Sequence, residues 1–103
     1  MATTAAVTRR LDRDIGSLRS FIDDLPGLAD EWERLDEAPR VSLSLEWDHL
    51  MADYLTELDE YFRCGEMASG QRVEYKSLLG KLRELLPIIR RLNLYYPPVS
   101  LGE

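Results

Sequence analysis

Between Trp47 and Phe62 the apolar residues return at helical intervals. At about 100° per residue, Trp47, Leu50, Met51, Tyr54, Leu55, Leu58, Tyr61 and Phe62 fall within an arc of roughly 140°. No charged residue lies inside that arc. A stripe this wide and this apolar cannot stay in water, so the chain must fold another amphipathic surface against it. The partner is visible in the next segment. Tyr75, Leu78, Leu79, Leu82, Leu85, Leu86 and Ile89 share one face spanning about 120°. Two such faces joined by the short stretch around Gly65 predict an antiparallel helical pair, over residues 45–64 and 70–92. Gly65 suits the left-handed position just past the first of these helices, Ser42 or Ser44 suits its N-cap, and Asn93 suits the C-cap of the second. Pro87 would clash with the carbonyl of Arg83 and remove a hydrogen bond, which predicts a kink or break there.

Two further helices precede the pair. Val7, Leu11, Ile15, Leu18, Ile22 and Leu25 step by fours and threes, a narrow seam over residues 4–24. Pro26-Gly27 is read as a break, with Pro26 in the first turn of a short helix over 27–37 that carries Leu28, Trp32 and Leu35. Pro39 is read as its stop, and the alternation of Val41, Leu43 and Leu45 as an extended lead-in to the following helix. The tail, 94–103, holds Pro97-Pro98 and is expected to be extended. The expected fold is therefore all-α, a single helical domain of three long helices and one short one with a proline-rich C-terminal tail.

Charge and composition narrow the functions. The 103 residues suffice for one modest core, and 45% hydrophobic with 31% charged residues is a globular balance. Net charge is −6, concentrated in residues 25–66, where three arginines face twelve acids. Such a chain is not expected to coat nucleic acid, which demands basic residues. No apolar run nears the roughly 18 residues of a membrane span, and "MATTAAVTRRL" has no apolar core of a secretory signal. With Cys64 as the only cysteine, a reducing, cytoplasmic setting is expected.

The chemically suggestive residues lie on the outer face of the 45–64 helix. Glu46 and His49 have the Glu-x-x-His spacing that carboxylate-bridged metal bundles use, and Asp53 is one turn further on. The pair points about 170° away from the apolar arc, whereas bundle metal sites point inward. The chain holds one histidine, so a second half-site would have to come from another copy. The expectation is a solvated histidine whose protonated form is favoured by Glu46 and Asp53; the competing reading is a divalent-metal site of Glu46, His49 and Asp53 at a dimer interface. Glu46, Asp53, Glu57 and Glu60 together form an acidic stripe about 60° wide, able to attract a basic partner. Cysteine–histidine catalysis is excluded within one chain, since Cys64 and His49 are roughly 22 Å apart along one helix. On the last helix Arg72, Lys76, Arg83 and Arg90 lie within about 40°, a basic stripe read as an exposed flank. In an antiparallel pair the acidic and basic stripes fall on opposite edges, so each is left facing the first helix, another copy or a separate partner.

The functional expectation is a non-catalytic cytoplasmic protein–protein interaction or assembly module, with self-association among its modes. Its candidate surfaces are the acidic residues Glu46, Asp53, Glu57 and Glu60 and the first-helix seam of Leu11, Ile15, Leu18 and Ile22. No cofactor is expected beyond the divalent metal of the competing reading. A third reading is a small acidic inhibitor, of antitoxin, immunity-protein or nucleic-acid-mimic type, directed at a basic partner.

Overall fold

The structure, a computed structural model, describes residues 4–101. Helix α1 runs Ala5–Glu31, opened by Thr4, whose Oγ1 accepts the backbone N–H of Val7 at 3.2 Å. A single 3₁₀ turn, Trp32–Arg34, follows. Then α2 (Glu37–His49), a π-helical stretch (Leu50–Leu55) and α3 (Thr56–Arg63) continue into one another without a break, so that 37–63 is one rod. Helix α4 spans Ser69–Arg91. No strand forms among the described residues, and the fold class is all-α.

The side-chain ties give the direction of each helix. Phe21 of α1 lies on Trp47, and Arg10 reaches Glu57, so α1 runs antiparallel to the rod. Asp59 and Phe62 meet Tyr75, so α4 is antiparallel to the rod in turn. Helix α4 therefore runs parallel to α1, and it is clamped there along its length. Gln71 Nε2 donates to Thr8 O at 3.0 Å and to Asp12 Oδ1 at 2.8 Å, Arg19 pairs with Glu74, Lys81 pairs with Asp23 at 3.1 Å, and Arg91 donates to Ala29 O at 3.2 Å. Gln71 also accepts the N–H of Ala68 at 3.1 Å, which satisfies a donor at the start of α4.

Both turns end as their sequences suggest. Gly65 (φ +74°) and Asn93 (φ +57°) are left-handed, one residue past a helix C-cap. At each, the two following amides return to the helix: Gly65 N to Phe62 O and Glu66 N to Tyr61 O, Asn93 N to Arg90 O and Leu94 N to Ile89 O. This paired closure satisfies carbonyls that would otherwise end unbonded.

The prolines behave differently from the sequence reading. Helix α1 runs through Pro26 for more than a further turn, so the separate short helix over 27–37 does not form. An interior proline costs about 3 kcal/mol, but here it sits on the exposed side. Leu25 and Ala29 on either side of it are buried, and Leu28 and Trp32 pack on the same core. That apolar burial offsets the lost bond. Pro39 does not stop a helix either. It lies in the first turn of α2, where its missing N–H has no intrahelical acceptor to lose. The lead-in over 41–45 is accordingly helical. Pro87 likewise lies inside α4, which continues to Arg91 without a break.

One hydrophobic cluster joins all three helices. The wide arc of the rod faces it: Trp47, Leu50, Met51, Leu55 and Leu58 are buried, with Tyr54, Tyr61 and Phe62 packed at its edge. The α1 seam was expected to serve a partner and instead forms the centre of this core. Leu11, Ile15, Leu18 and Ile22 are at most 2% exposed, because α1 is covered by the rod on one side and α4 on the other. They are not an outer surface of the protein. Of the tail, Pro97 and Leu101 are buried, and the indole N–H of Trp47 donates to Tyr95 O at 2.7 Å. Gly102 and Glu103, the end of the segment read as a tail, lie outside the described residues.

A buried acid accompanies these apolar residues. Asp14, 3% exposed, sits in the α1 face, with Arg13 Nε at 3.9 Å. Burial, reinforced by the nearby Glu57 carboxylate, holds its pKa above the ordinary 3.8, against the opposing pull of Arg13 and Arg10. An acid with a raised folded pKa stabilises the fold below its unfolded pKa and loses that contribution as pH climbs through the folded value. Asp14→Asn is therefore expected to raise stability at pH 7 by about 1 kcal/mol, with the gain vanishing below pH 3.8. Urea unfolding of both proteins across that range reads it; a variant less stable than the parent at pH 7 would contradict this account.

Candidate functional site

A π-helical stretch interrupts the acidic stripe. A π-helical turn closes its hydrogen bonds over one more residue than an α turn, so the constant 100° step is lost between Leu50 and Leu55. Thr56 Oγ1 caps the disturbed turn by donating to Met51 O at 3.3 Å. Glu46 lies before this stretch, Asp53 within it, and Glu57 and Glu60 after it. Glu46 lines a shallow hollow against the end of α1, with Asp24 and Glu31. Asp53 Oδ2 holds His49 Nδ1 at 2.6 Å, with Tyr54 against the imidazole at 5.0 Å. Glu57 Oε1 is bonded to Arg10 Nε at 3.2 Å. Glu57 also lines one hollow together with Glu60, Tyr61, Cys64 and Glu66.

This division bears on the metal reading. His49 and Asp53 are brought together, but Glu46 turns to another hollow. Among the described residues, no three His, Cys, Asp or Glu side chains gather where they would hold an ion. Cys64 is exposed.

A larger concavity than either of these hollows lies on the edge carrying the basic stripe. Helix α4 approaches α1 most closely and stands further from α3. Large side chains bridge the wider gap: Phe62 and Tyr75 meet at 5.0 Å, and Arg72 and Lys76 lie over the Phe62 ring at 4.7 and 5.9 Å. The chain after α4 returns to this gap, where Pro98, Val99, Ser100 and Leu101 line one side. What remains open is a groove of about 560 Å³. Phe62, Leu79, Val99 and Leu101 form its apolar lining, and Arg63, Lys76 and Arg83 bring positive charge to it.

The groove is anchored by a buried polar pair. Asp59 is 7% exposed, accepts the Tyr75 hydroxyl at 2.8 Å and bonds Arg63 Nε at 2.8 Å. Both carboxylate oxygens are thereby satisfied, and Arg63 is oriented along the wall. Burial, together with the hydrogen bond to Asp59, pushes the Tyr75 phenol far above its ordinary pKa. It stays a donor throughout the neutral range. Gly80 lies in the groove between Lys76 and Arg83, and a Cβ added there would meet nothing within 4 Å.

Sequence reading placed Tyr75 and Leu79 on the inner face but missed Asp59, Gln71 and the groove itself. Asp59 and Arg63 are four apart on a helix, a spacing that signals an ion pair. The basic stripe was seen and assigned to an exposed flank. Lys76, Arg83 and Arg90 are exposed as expected, while Arg72 and Lys76 also lie over Phe62 and Arg90 over Tyr96 at 5.8 Å.

The chain matches no family model, no curated protein and no solved structure. Among the described residues, no helix is long and apolar enough to cross a membrane.

Proposed function

We propose that this protein is a non-catalytic docking module, and that the α3–α4 groove receives an apolar, acidic helical segment of a protein partner. The observation that carries the reading is the groove's composition: an apolar floor beside Lys76 and Arg83, with Arg63 held by Asp59, on a chain of net charge −6. An apolar floor supplies affinity, and a rim of one sign selects an oppositely charged partner and speeds its approach. A cytoplasmic location belongs to the same reading, on the single exposed thiol of Cys64. The reading as an acidic inhibitor has less to stand on. Two of its four acids are engaged within the chain, Glu57 by Arg10 and Asp53 by His49.

The test is cross-linking in the native host, with a photoreactive residue placed at exposed Val73, comparing the parent with Lys76→Glu. The expected result is a discrete cross-linked protein band whose yield falls at least tenfold in the variant. An unchanged band pattern in a folded variant, or no band in the parent, would remove the groove as a docking site.

A further inference from the structure

We infer that the occupant of the groove is the outer face of α2 from a second copy of this chain. The inference rests on the reading of the groove as a docking site, and it adds the partner's identity.

Helix α2 carries an apolar surface that its own chain leaves uncovered. Val41 and Leu45 are 50% and 63% exposed, among the most exposed large apolar residues described. They lie one turn apart on the side of α2 away from buried Trp47. At about 100° per residue, Glu37, Val41, Leu45 and Asp48 share a stripe roughly 80° wide. Its order is acid, apolar, apolar, acid.

The α4 wall of the groove has the complementary order. Lys76, Leu79, Gly80 and Arg83 share a stripe about 100° wide, with the cations outside and the apolar positions between. Laid together, the apolar centres meet and each end pairs an acid with a base. Such a helix-in-groove contact takes its affinity from the apolar anchors and its orientation from the charges.

Gly80 leaves room for the same occupant, as the open glycines elsewhere in the chain do at their own positions. A glycine inside a helix costs up to about 1 kcal/mol relative to alanine. No φ value requires it here, and no neighbouring atom would obstruct a Cβ. The space above it is unused by this chain. A second helix packing at the usual interaxial distance of about 8–10 Å would use it.

One copy cannot satisfy both surfaces. Along the rod, Val41 and Leu45 are some eighteen residues from the groove wall at Asp59–Arg63, or roughly 27 Å at 1.5 Å per residue. The contact joins two different patches, so it closes as a reciprocal pair or continues as a ring or chain.

Light scattering on the full chain at high micromolar concentration, at low and high salt, tests the inference. The parent is expected at twice the monomer mass or more. Leu45→Glu and Lys76→Glu are each expected to be monomeric while retaining their helical circular dichroism. Gly80→Leu, which fills the groove from an open position, should be monomeric too and serves if Lys76→Glu fails to fold. An equimolar mixture of Leu45→Glu and Lys76→Glu should give a one-to-one dimer and nothing larger, since each variant keeps the half of the contact the other has lost. A monomeric parent at both salts, or an assembly indifferent to these substitutions, overturns the inference. If the parent is monomeric but its cross-linked partner in cells still depends on Lys76, the docking reading stands and only the second copy is refuted. If neither is seen, both fall.

Discussion

Trp47→Ala is expected to cost about 3–5 kcal/mol of folding free energy. A domain of this size holds only about 5–15 kcal/mol in total, so the variant should be partly unfolded at physiological temperature. Trp47 is fully buried where α1, the rod and the returning chain meet. Its ring lies on Phe21 at 5.4 Å, and its N–H donates to Tyr95 O at 2.7 Å. Truncation would open a cavity against Phe21 and leave the Tyr95 carbonyl without its indole donor. Trp47→Phe separates the two effects. It keeps most of the packing and loses only the donor, for about 1–2 kcal/mol. Denaturant midpoints of the three proteins give the ordering. An alanine variant within 1 kcal/mol of the parent would mean that the helices do not close around this ring.

The same tryptophan shows how far the sequence could be read. Its place on the inner face followed from spacing alone, as did those of Leu50, Met51, Leu55, Leu58, Tyr75 and Leu82. Helical periodicity is a local property that burial enforces on every turn. The turns at Gly65 and Asn93 were legible for a similar reason: a left-handed residue after a helix is a local requirement. The prolines were not. Whether a helix survives Pro26 depends on what Leu28, Ala29 and Trp32 find to pack on, and those partners lie far along the chain. Pro39 was read as an end because the segment before it was taken as a helix, when the same residue suits a beginning. The narrow first-helix seam was read as a candidate surface for a partner, yet α1 is flanked by two helices and every residue of the stripe is used.

The candidate site was less legible than the fold. The acidic stripe was laid out at a constant 100° per residue, and the π turn over Leu50–Leu55 breaks that count. No residue type announces such a turn. The groove draws its walls from α3, α4 and the residues after Pro97, so no window of sequence contains it. Its basic wall was visible as a stripe, but no spacing rule brings Arg72 and Lys76 over a ring of the neighbouring helix.

Tyr75 carries the second large effect, and the groove depends on it. Tyr75→Ala should cost about 3–5 kcal/mol, as expected for a fully buried aromatic ring. It would remove the ring on which Phe62 leans at 5.0 Å and the donor that fixes Asp59. Tyr75→Phe isolates the hydroxyl. It leaves a buried carboxylate with Arg63 as its remaining partner, and about 1–2 kcal/mol should be lost. The phenol also predicts a response to alkali. Its pKa is raised in the folded protein, first by burial and then by Asp59, while the unfolded chain ionises near the ordinary 10.0. The unfolded state therefore releases a proton that the folded state keeps. This contribution is intact below pH 10 and declines as pH rises past it, by up to about 1.4 kcal/mol per unit. The other four tyrosines are retained in Tyr75→Phe, so subtracting its unfolding free energy from that of the parent isolates this residue. The difference should favour the parent at pH 8 and shrink between pH 10 and 11. A difference that stays constant over that interval would mean the Tyr75 hydroxyl reaches water, and that the floor of the groove is not closed by the pair it forms with Asp59.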